Sequence, residues 1–264
     1  MLAKDSPIGF FDSGVGGTSI WKEMIKLLPN ENTIYFADSA NAPYGKKSQK
    51  EIIALSEKNT EFLLEKGCKL IVVACNTATT NAITHLREKY SVPFVGIEPA
   101  IKPAALHTKT NSIGILATQG TLSSALFAKT SSKFASNVQV IEQVGTGLVA
   151  LIEAGKKDSP MIKELLDSYL KPMKEQQIDH LILGCTHYPY LIPIINTILG
   201  NEVRIIDSGY AVSKQINNVL LKNKLLNTSN SKPIYNFFTN TTTKVLRKLL
   251  MDVDKDNQIY FSKK

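Results

Sequence analysis

The sequence predicts an α/β fold made of two pseudo-symmetric, doubly wound parallel-sheet domains, with a candidate active site in the cleft between them. Short β-rich runs alternate with helical runs along most of the chain, which is typical of a parallel sheet with helices on both faces. At an offset of 105 to 111 residues, the two halves of the chain also resemble each other. A length of 264 residues, with 43% apolar and 20% charged residues, suits two such domains and excludes disordered and fibrous proteins.

Eight short runs are predicted to be strands, because each is apolar and rich in β-branched or aromatic residues. In chain order they cover residues 8–11, 33–37, 70–74, 94–97, 112–116, 138–142, 180–183 and 204–206. Between them, apolar residues recur near helical spacing. The clearest predicted helices cover residues 18–28, 51–65, 77–90, 159–175 and 190–199. Further helices are expected in the remaining gaps.

Three strand ends of the first half match three of the second. The matched runs are IGFFDSG at 8–14 with IGILATQGT at 113–121, IVVACNT at 71–77 with LILGCTH at 181–187, and VPFVGIE at 92–98 with EVRIID at 202–207. Pro99 and Pro103 interrupt the pattern after the first unit. We therefore predict a first domain of residues 1–98 and 208–264 and a second domain of residues 99–207. The segment from Ser208 has no counterpart in the first half, so we expect it to return and complete the first domain.

Cys75 and Cys185 each follow a matched strand, and ligands in open α/β sheets bind beyond the carboxyl ends of the strands. A pseudo-twofold arrangement would place the two thiols on opposite sides of one cleft. A free cysteine is usually an inert core residue, and Cys68, which has no polar neighbourhood, is assigned that role. For the other two, a helix N-terminus and an adjacent His or cation are expected to lower the pKa of the thiol. Such a thiol can act as a base.

Asp12 begins a turn, DSGVGGT at 12–18, that is rich in glycine. The turn does not fit the dinucleotide-binding pattern G-x-G-x-x-G, because Ser19 stands at the third glycine position. Asp12 could serve as a helix N-cap. The matching position of the second half is Thr118, so capping alone does not require an acid there, and we favour a chemical role for Asp12.

Other polar residues lie near these strand ends. His187 comes two residues after Cys185 and could set the protonation of that thiol, or it could be an ordinary turn histidine. Glu153 ends an apolar helical stretch and could equally be a surface acid. A long polar loop at 35–45 follows the second strand, and loops often carry ligand contacts. The sequence contains no metal-ligand spacing, so we expect neither a metal nor a cofactor.

The net charge of +8 is concentrated near the C-terminus, where residues 213–264 carry ten Lys or Arg and three Asp. Such a segment could bind nucleic acid, but a solvated basic face is the more common role of a charge run. No apolar run approaches the roughly 18 residues of a membrane helix. The odd number of cysteines and the absence of an apolar signal segment at the start predict a cytoplasmic protein.

Six motifs cover the chain from Ile8 to about Ala211. They are FDSGVGG at 11–17, PYG at 43–45, ACNTA at 74–78, GIEPA at 96–100, ATQGT at 117–121 and GCTHYP at 184–189. In this order they resemble bacterial glutamate racemases, the cofactor-independent enzymes of cell-wall precursor synthesis. The segment after Ser213 matches that family only loosely.

The resemblance implies that two thiols interconvert L- and D-glutamate, one removing the α-proton while the other reprotonates the opposite face. It assigns the D face to Cys75, assisted by Asp12, and the L face to Cys185, assisted by His187 and Glu153. It further implies that the substrate's amino and carboxylate groups are bound by Asp12, Ser13, Tyr44, Gly45, Asn76, Thr77, Thr118, Thr121, Thr186 and His187. A homodimer and a supply of D-glutamate for peptidoglycan precursors are implied as well.

Two alternatives remain at this point. Aspartate racemases share the paired cysteines but usually carry an acid after the second Cys-Thr, where this chain has His187, which favours glutamate. The other alternative is a binding protein that uses its basic tail on nucleic acid or on a partner such as DNA gyrase. Retention of both cysteines favours an enzyme.

Overall fold

A computed structural model describes residues 3–254 and 257–264, and it contains two sheets in which every strand pair is parallel. The strands are β1 Ile8–Asp12, β2 Thr33–Ala37, β3 Leu70–Val73, β4 Phe94–Gly96, β5 Ser112–Ala117, β6 Gln139–Val144, β7 His180–Gly184, β8 Arg204–Ile206, β9 Ile234–Thr239 and β10 Gln258–Lys263. The six-stranded sheet has the order β10-β9-β2-β1-β3-β4, and the four-stranded sheet has the order β6-β5-β7-β8. The predicted fold class is confirmed.

Helices connect the strands of both sheets. They are α1 Thr18–Leu27, α2 Gln49–Glu65, α3 Asn76–Lys89, α4 Ile101–His107, α5 Gln119–Leu122, α6 Ala125–Phe134, α7 Leu148–Glu153, α8 Pro160–Glu175, α9 Ile192–Leu199, α10 Gly209–Lys222 and α11 Lys244–Asp254. Within the described ranges, no helix has the length and apolar character needed to cross a membrane.

The internal repeat appears in the topology, because the order β2-β1-β3-β4 in one sheet corresponds to β6-β5-β7-β8 in the other. The eight predicted strands are all present, with ends that differ by at most two residues. They were predictable because parallel strands are buried on both faces and therefore form continuous apolar runs. The domain boundaries themselves stay a prediction, and residues 1, 2, 255 and 256 of the first predicted domain lie outside the described residues.

The prediction of one helix over 190–199 is wrong at its start. Residues Tyr188–Leu191 form a 3₁₀ turn, and α9 begins after it at Ile192. Pro193 explains the change, since a proline lacks an N–H and is tolerated in the first turn of an α-helix but not in its interior.

The C-terminal segment supplies the outer strands β9 and β10 of the six-stranded sheet, where β9 pairs with β2. Tyr235 and Phe237 on β9 are buried, and both rings pack edge-on against Trp21. These two aromatic rings are therefore core residues and are not available to stack on nucleic-acid bases.

Candidate active site

A small cavity lies where the carboxyl ends of β1 and β3 face those of β5 and β7. Ten predicted site residues line it, together with Pro43 and Val149: Ser13, Tyr44, Gly45, Cys75, Asn76, Thr77, Thr118, Cys185, Thr186 and His187. The remaining three, Asp12, Thr121 and Glu153, lie behind this lining and bond to it. The space open to the centre of a water molecule is only about 10 Å³, roughly the room that one water needs.

Cys75 caps the N-terminus of α3, where its Sγ accepts a hydrogen bond from the N–H of Ala78 at 3.4 Å. The same sulfur lies 3.5 Å from the Ser13 Oγ. Burial raises the pKa of the thiol, and the nearby Asp12 carboxylate raises it further. The expectation of a lowered pKa is thus wrong for Cys75, because desolvation outweighs the donors at the helix terminus. In this closed cavity, Cys75 is held as a neutral thiol.

Asp12 stands fully buried at the end of β1. Its Oδ1 accepts the N–H of Ser13 at 2.8 Å, and its Oδ2 accepts the N–H of Gly17 at 2.7 Å. The hydroxyl of Thr186, from the other sheet, lies 3.4 Å from Oδ2. Gly17, and not Asp12, occupies the N-cap position of α1. Burial raises the pKa of Asp12 above 3.8 despite the favourable charge of His187.

The raised pKa of Asp12 leads to a prediction for Asp12→Asn. A carboxyl whose pKa is raised in the folded state destabilises the protein increasingly as the pH rises above 3.8, its ordinary value. Asp12→Asn cannot ionise, and its amide keeps only one of the two oxygens that accept the N–H groups of Ser13 and Gly17. The unfolding temperature of the wild type, measured relative to that of Asp12→Asn, is therefore expected to fall as the pH rises from 4 to 7. Thermal unfolding over pH 3–8 measures this trend.

The same variant tests the chemical role of Asp12. Racemisation should fall by at least about 100-fold if Asp12 takes part in proton transfer, which initial rates measure. A variant as active as the wild type would contradict the chemical role.

Cys185, His187 and Glu153 form a hydrogen-bonded chain. The Cys185 Sγ lies 3.7 Å from the His187 Nδ1, and the His187 Nε2 lies 2.6 Å from the Glu153 Oε1. Burial lowers the pKa of His187, but its hydrogen bonds to Cys185 and Glu153 raise the pKa well above its ordinary value. Burial raises the pKa of Glu153, yet the bond to His187 brings it below its ordinary value. The pair is thus an imidazolium held by a carboxylate beside the second thiol.

Glu153 also joins the two sheets, because it ends α7 but bonds to residues that follow β1 and β2. The N–H of Val15 donates to Oε1 at 2.6 Å, and the Ser39 hydroxyl donates to Oε2 at 2.7 Å. The glycine-rich turn permits this approach. A Cβ at Gly14 would lie 1.9 Å from the Glu153 Oε1, and one at Gly16 would lie 2.3 Å from the His187 Nδ1.

Three threonine hydroxyls meet at the other end of the cavity. The Oγ1 atom of Thr77 lies 2.8 Å from that of Thr118 and 3.3 Å from that of Thr121, and the last two are 3.0 Å apart. Gly45 packs against Thr118, so that a Cβ there would lie 2.9 Å from the threonine's own Cβ. The cluster ties α3 to the turn after β5 and presents hydroxyls from both sheets.

Asn76 is buried, and neither its amide oxygen nor its amide nitrogen has a hydrogen-bond partner among the described residues. An unpaired amide in a buried site costs free energy unless a ligand satisfies it. Tyr44 is different, because its hydroxyl donates to the buried carboxylate of Asp38 and accepts from Asn59 at 3.1 Å. Asn76 is therefore the lining side chain best prepared to bind a polar ligand.

Sequence reasoning missed Asp38, Ser39 and the backbone N–H of Val15 as parts of this site. The only sequence signal for the first two was their place in the polar loop at 35–45. Among residues 3–254 and 257–264, no group of three His, Cys, Asp or Glu side chains is arranged to hold a metal ion.

Comparison with known proteins identifies the family of this chain. The Asp/Glu/Hydantoin racemase family model matches residues 10–216. A glutamate racemase from Herpetosiphon aurantiacus is 48% identical over 229 residues, which are 87% of this chain and 90% of that protein. The chain belongs to the glutamate racemase family. It is an isomerase of the cofactor-independent kind that racemises an amino acid, as the relatives of this family do.

Solved structures of the family have the same fold over nearly their whole length. Glutamate racemase from Francisella tularensis, in complex with D-glutamate, has a TM-score of 0.83 and 32% identity, and the match covers 99% of this chain and 98% of that one. Glutamate racemase from Escherichia coli, in complex with L-glutamate and the activator UDP-MurNAc-ala, has a TM-score of 0.83 and 32% identity, and the match covers 98% of each chain.

Proposed function

We propose that this enzyme interconverts L- and D-glutamate with Cys75 and Cys185 as the two acid/base groups. The observation that carries the proposal is that both thiols line one cavity, each at the end of the equivalent strand, β3 or β7, of a topologically matched sheet. Inversion at a carbon centre needs a base on one face and an acid on the other. A pair of thiols related by the repeat supplies both groups from the same residue type.

In the D-to-L direction, the Cys75 thiolate takes the α-proton and leaves a carbanion. The Cys185 thiol then gives its proton to the opposite face, so that Cys75 ends as a thiol and Cys185 as a thiolate. The L-to-D direction reverses both transfers. Exchange of protons with solvent resets the pair after release of the product, so no other reactant is consumed.

The surrounding groups fit these two roles unequally. Asp12, close to Cys75 and of raised pKa, is suited to shuttle a proton on the D side. The His187 imidazolium, held by Glu153, stabilises a thiolate at Cys185 on the L side. D-glutamate can react only after Cys75 has lost its proton, for which Asp12 is the nearest carboxylate.

Substrate binding would use the unpaired Asn76 amide, the Ser13 hydroxyl and the cluster of threonine hydroxyls. The α-proton of an amino acid is very weakly acidic, so prearranged donors must stabilise the charge that develops on its removal. Glutamate is larger than the space for one water that the cavity offers, so we infer that the lining residues move apart to admit it and then close around it. Closure excludes water and strengthens these interactions.

Circular dichroism of D-glutamate incubated with the purified enzyme, without pyridoxal phosphate or metal, tests the proposed reaction. We expect the signal to decay to zero, as racemisation requires, while D-aspartate keeps its signal. Loss of the D-aspartate signal at a similar rate would assign the enzyme to the other substrate. A folded enzyme that leaves both signals unchanged would contradict catalysis.

Three finer statements are proposals of the same kind. We propose that the D-glutamate serves peptidoglycan precursor synthesis, since the Escherichia coli relative was solved with an activator containing MurNAc. We propose a cytoplasmic location, because three free buried cysteines suit a reducing compartment. We also propose a homodimer, as the family resemblance implies, which light scattering of the purified enzyme would test.

A further inference from the structure

Ser39 lies outside the cavity lining, yet it bonds to the chain of residues that ends at Cys185. Its hydroxyl donates to the Glu153 Oε2 at 2.7 Å, while the other carboxylate oxygen of Glu153 bonds to His187 and to the N–H of Val15. Ser39 is the first residue of a short 3₁₀ turn, Ser39–Asn41, that follows β2. The bond therefore runs from the six-stranded sheet to α7 of the other half of the molecule.

Asn240, directly after β9, holds that 3₁₀ turn from the opposite side. Its Oδ1 accepts the N–H of Ala40 at 2.8 Å, and its Nδ2 donates to the Asp38 Oδ1 at 2.5 Å. These two bonds bracket Ser39 along the chain. Asn240 belongs to the C-terminal segment, which has no counterpart in the internal repeat.

Together these hydrogen bonds connect Asn240 to Glu153. Asn240 restrains the 3₁₀ turn, the turn positions the Ser39 hydroxyl, and that hydroxyl holds the Oε2 of Glu153. The orientation of the carboxylate then determines how its Oε1 meets the His187 ring, whose Nδ1 faces the Cys185 sulfur. A carboxylate that accepts three bonds has little freedom to rotate, whereas loss of one donor frees it.

We propose that Ser39 is a positioning residue for proton transfer at Cys185, and that Asn240 of the C-terminal segment holds Ser39 in place for this role. The proposal rests on the two-thiol reaction proposed above. Neither residue touches the substrate cavity, so both act through Glu153 and His187. The C-terminal segment, which has no counterpart in the internal repeat, would thereby contribute to the arrangement of the active site.

The first test compares Ser39→Ala with Ser39→Thr, which keeps the hydroxyl. We expect Ser39→Ala to lower kcat/KM by about 10- to 100-fold, the range for loss of a hydrogen bond to a charged group, and Ser39→Thr to recover most of it. Ser168→Ala is the matched control, because the exposed Ser168 hydroxyl on α8 donates to the backbone carbonyl of Leu165 at 2.8 Å and lies far from Glu153 in the chain. It should leave kcat/KM unchanged.

Isotope effects separate a positioning role from general structural damage. In Ser39→Ala the transfer at Cys185 becomes slower than the transfer at Cys75. The primary isotope effect on kcat/KM should therefore rise with α-deuterated L-glutamate and fall with α-deuterated D-glutamate. An isotope effect does not depend on the fraction of enzyme that is folded. If both effects stay at their wild-type values, or if Ser39→Thr is as impaired as Ser39→Ala, the proposal for Ser39 is overturned.

The second test applies the same measurements to Asn240→Ala. We expect kcat/KM to fall by about 2- to 10-fold, as for loss of neutral hydrogen bonds, with isotope effects shifted in the same directions as in Ser39→Ala. Asn236→Ala is the control, because Asn236 lies on β9, just before Asn240 in the chain, and its side chain forms no hydrogen bond among the described residues. Equal behaviour of the two asparagine variants would overturn the role of Asn240. Absence of racemisation in the wild type would instead overturn the proposed function itself.

Discussion

The Cys75→Ser and Cys185→Ser variants are each expected to racemise glutamate about 10²- to 10⁴-fold more slowly than the wild type, the usual contribution of a general acid or base. A serine hydroxyl is a much weaker acid than a thiol, so it cannot form the anion that removes the α-proton. Both sulfurs line the same cavity, and neither can replace the other because each serves one face of the substrate. Circular dichroism of D- and L-glutamate measures the loss.

Proton exchange in D₂O distinguishes the two variants. Cys185→Ser keeps the thiol on the D side, so D-glutamate should acquire deuterium at its α-carbon while it keeps its configuration. Cys75→Ser should show the same behaviour with L-glutamate only. Mass spectrometry of the recovered substrate reports the deuterium, and the dichroism signal reports the configuration. Exchange of the opposite enantiomer in each variant would reverse the assignment of the faces.

Cys68→Ala is the matched control for the two serine variants. Cys68 is also buried, but it lies against β1 near Gly9 and not at the cavity. The Cys68→Ala variant should therefore racemise glutamate at the wild-type rate per folded molecule. A loss in Cys68→Ala as large as in the other two would show that the effects report stability and not proton transfer.

Lys69→Met is expected to lower the free energy of unfolding by about 3–5 kcal/mol, because it leaves the carboxylate of Glu31 buried without its charged partner. The Lys69 Nζ lies 2.5 Å from the Glu31 Oε2, and the two side chains are 0% and 1% exposed. The Nζ also donates to the carbonyl of Lys4, and the Glu31 Oε1 accepts the N–H of Asn227 at 2.8 Å. Urea denaturation followed by circular dichroism measures the change.

An exposed ion pair provides the control for this prediction. The Lys26 Nζ lies 2.6 Å from the Glu23 Oε1, and the two side chains are 70% and 37% exposed. Lys26→Met should therefore lower the free energy of unfolding by less than about 1 kcal/mol. Adding Glu31→Gln to Lys69→Met removes the buried charge but keeps an acceptor for Asn227, so it should restore part of the lost stability. Equal costs for Lys69→Met and Lys26→Met would show that burial does not govern the first pair.

Much of the site was predictable because its residues stand at fixed places relative to predictable strands. Cys75 and Cys185 follow continuous apolar runs, and the carboxyl ends of parallel strands meet at one edge of a sheet. The polar runs beside them therefore had to lie near one another. Glu153 was harder to place, since nothing in its helical stretch showed that it would reach His187.

Protonation could not be predicted in the same way. The helix N-terminus at Cys75 pointed to a lowered thiol pKa, but complete burial and the neighbouring Asp12 raise it. A sequence shows which charges are close along the chain, whereas desolvation depends on everything that packs around the group. The roles of Ser39 and Asn240 were not predicted either, because Asn240 contacts residues about 200 positions away in the chain.

The sequence by itself determined the α/β class, the internal repeat, the strand ends that carry the two cysteines and the family to which the chain belongs. These properties follow from local composition and from motifs within short runs. Only the tertiary structure decided which neighbours hold Glu153, that burial keeps the Cys75 thiol neutral, and with which strand of the first sheet the C-terminal segment pairs. Those properties depend on contacts between distant segments and on exclusion of water, which arise only when the two sheets are packed together.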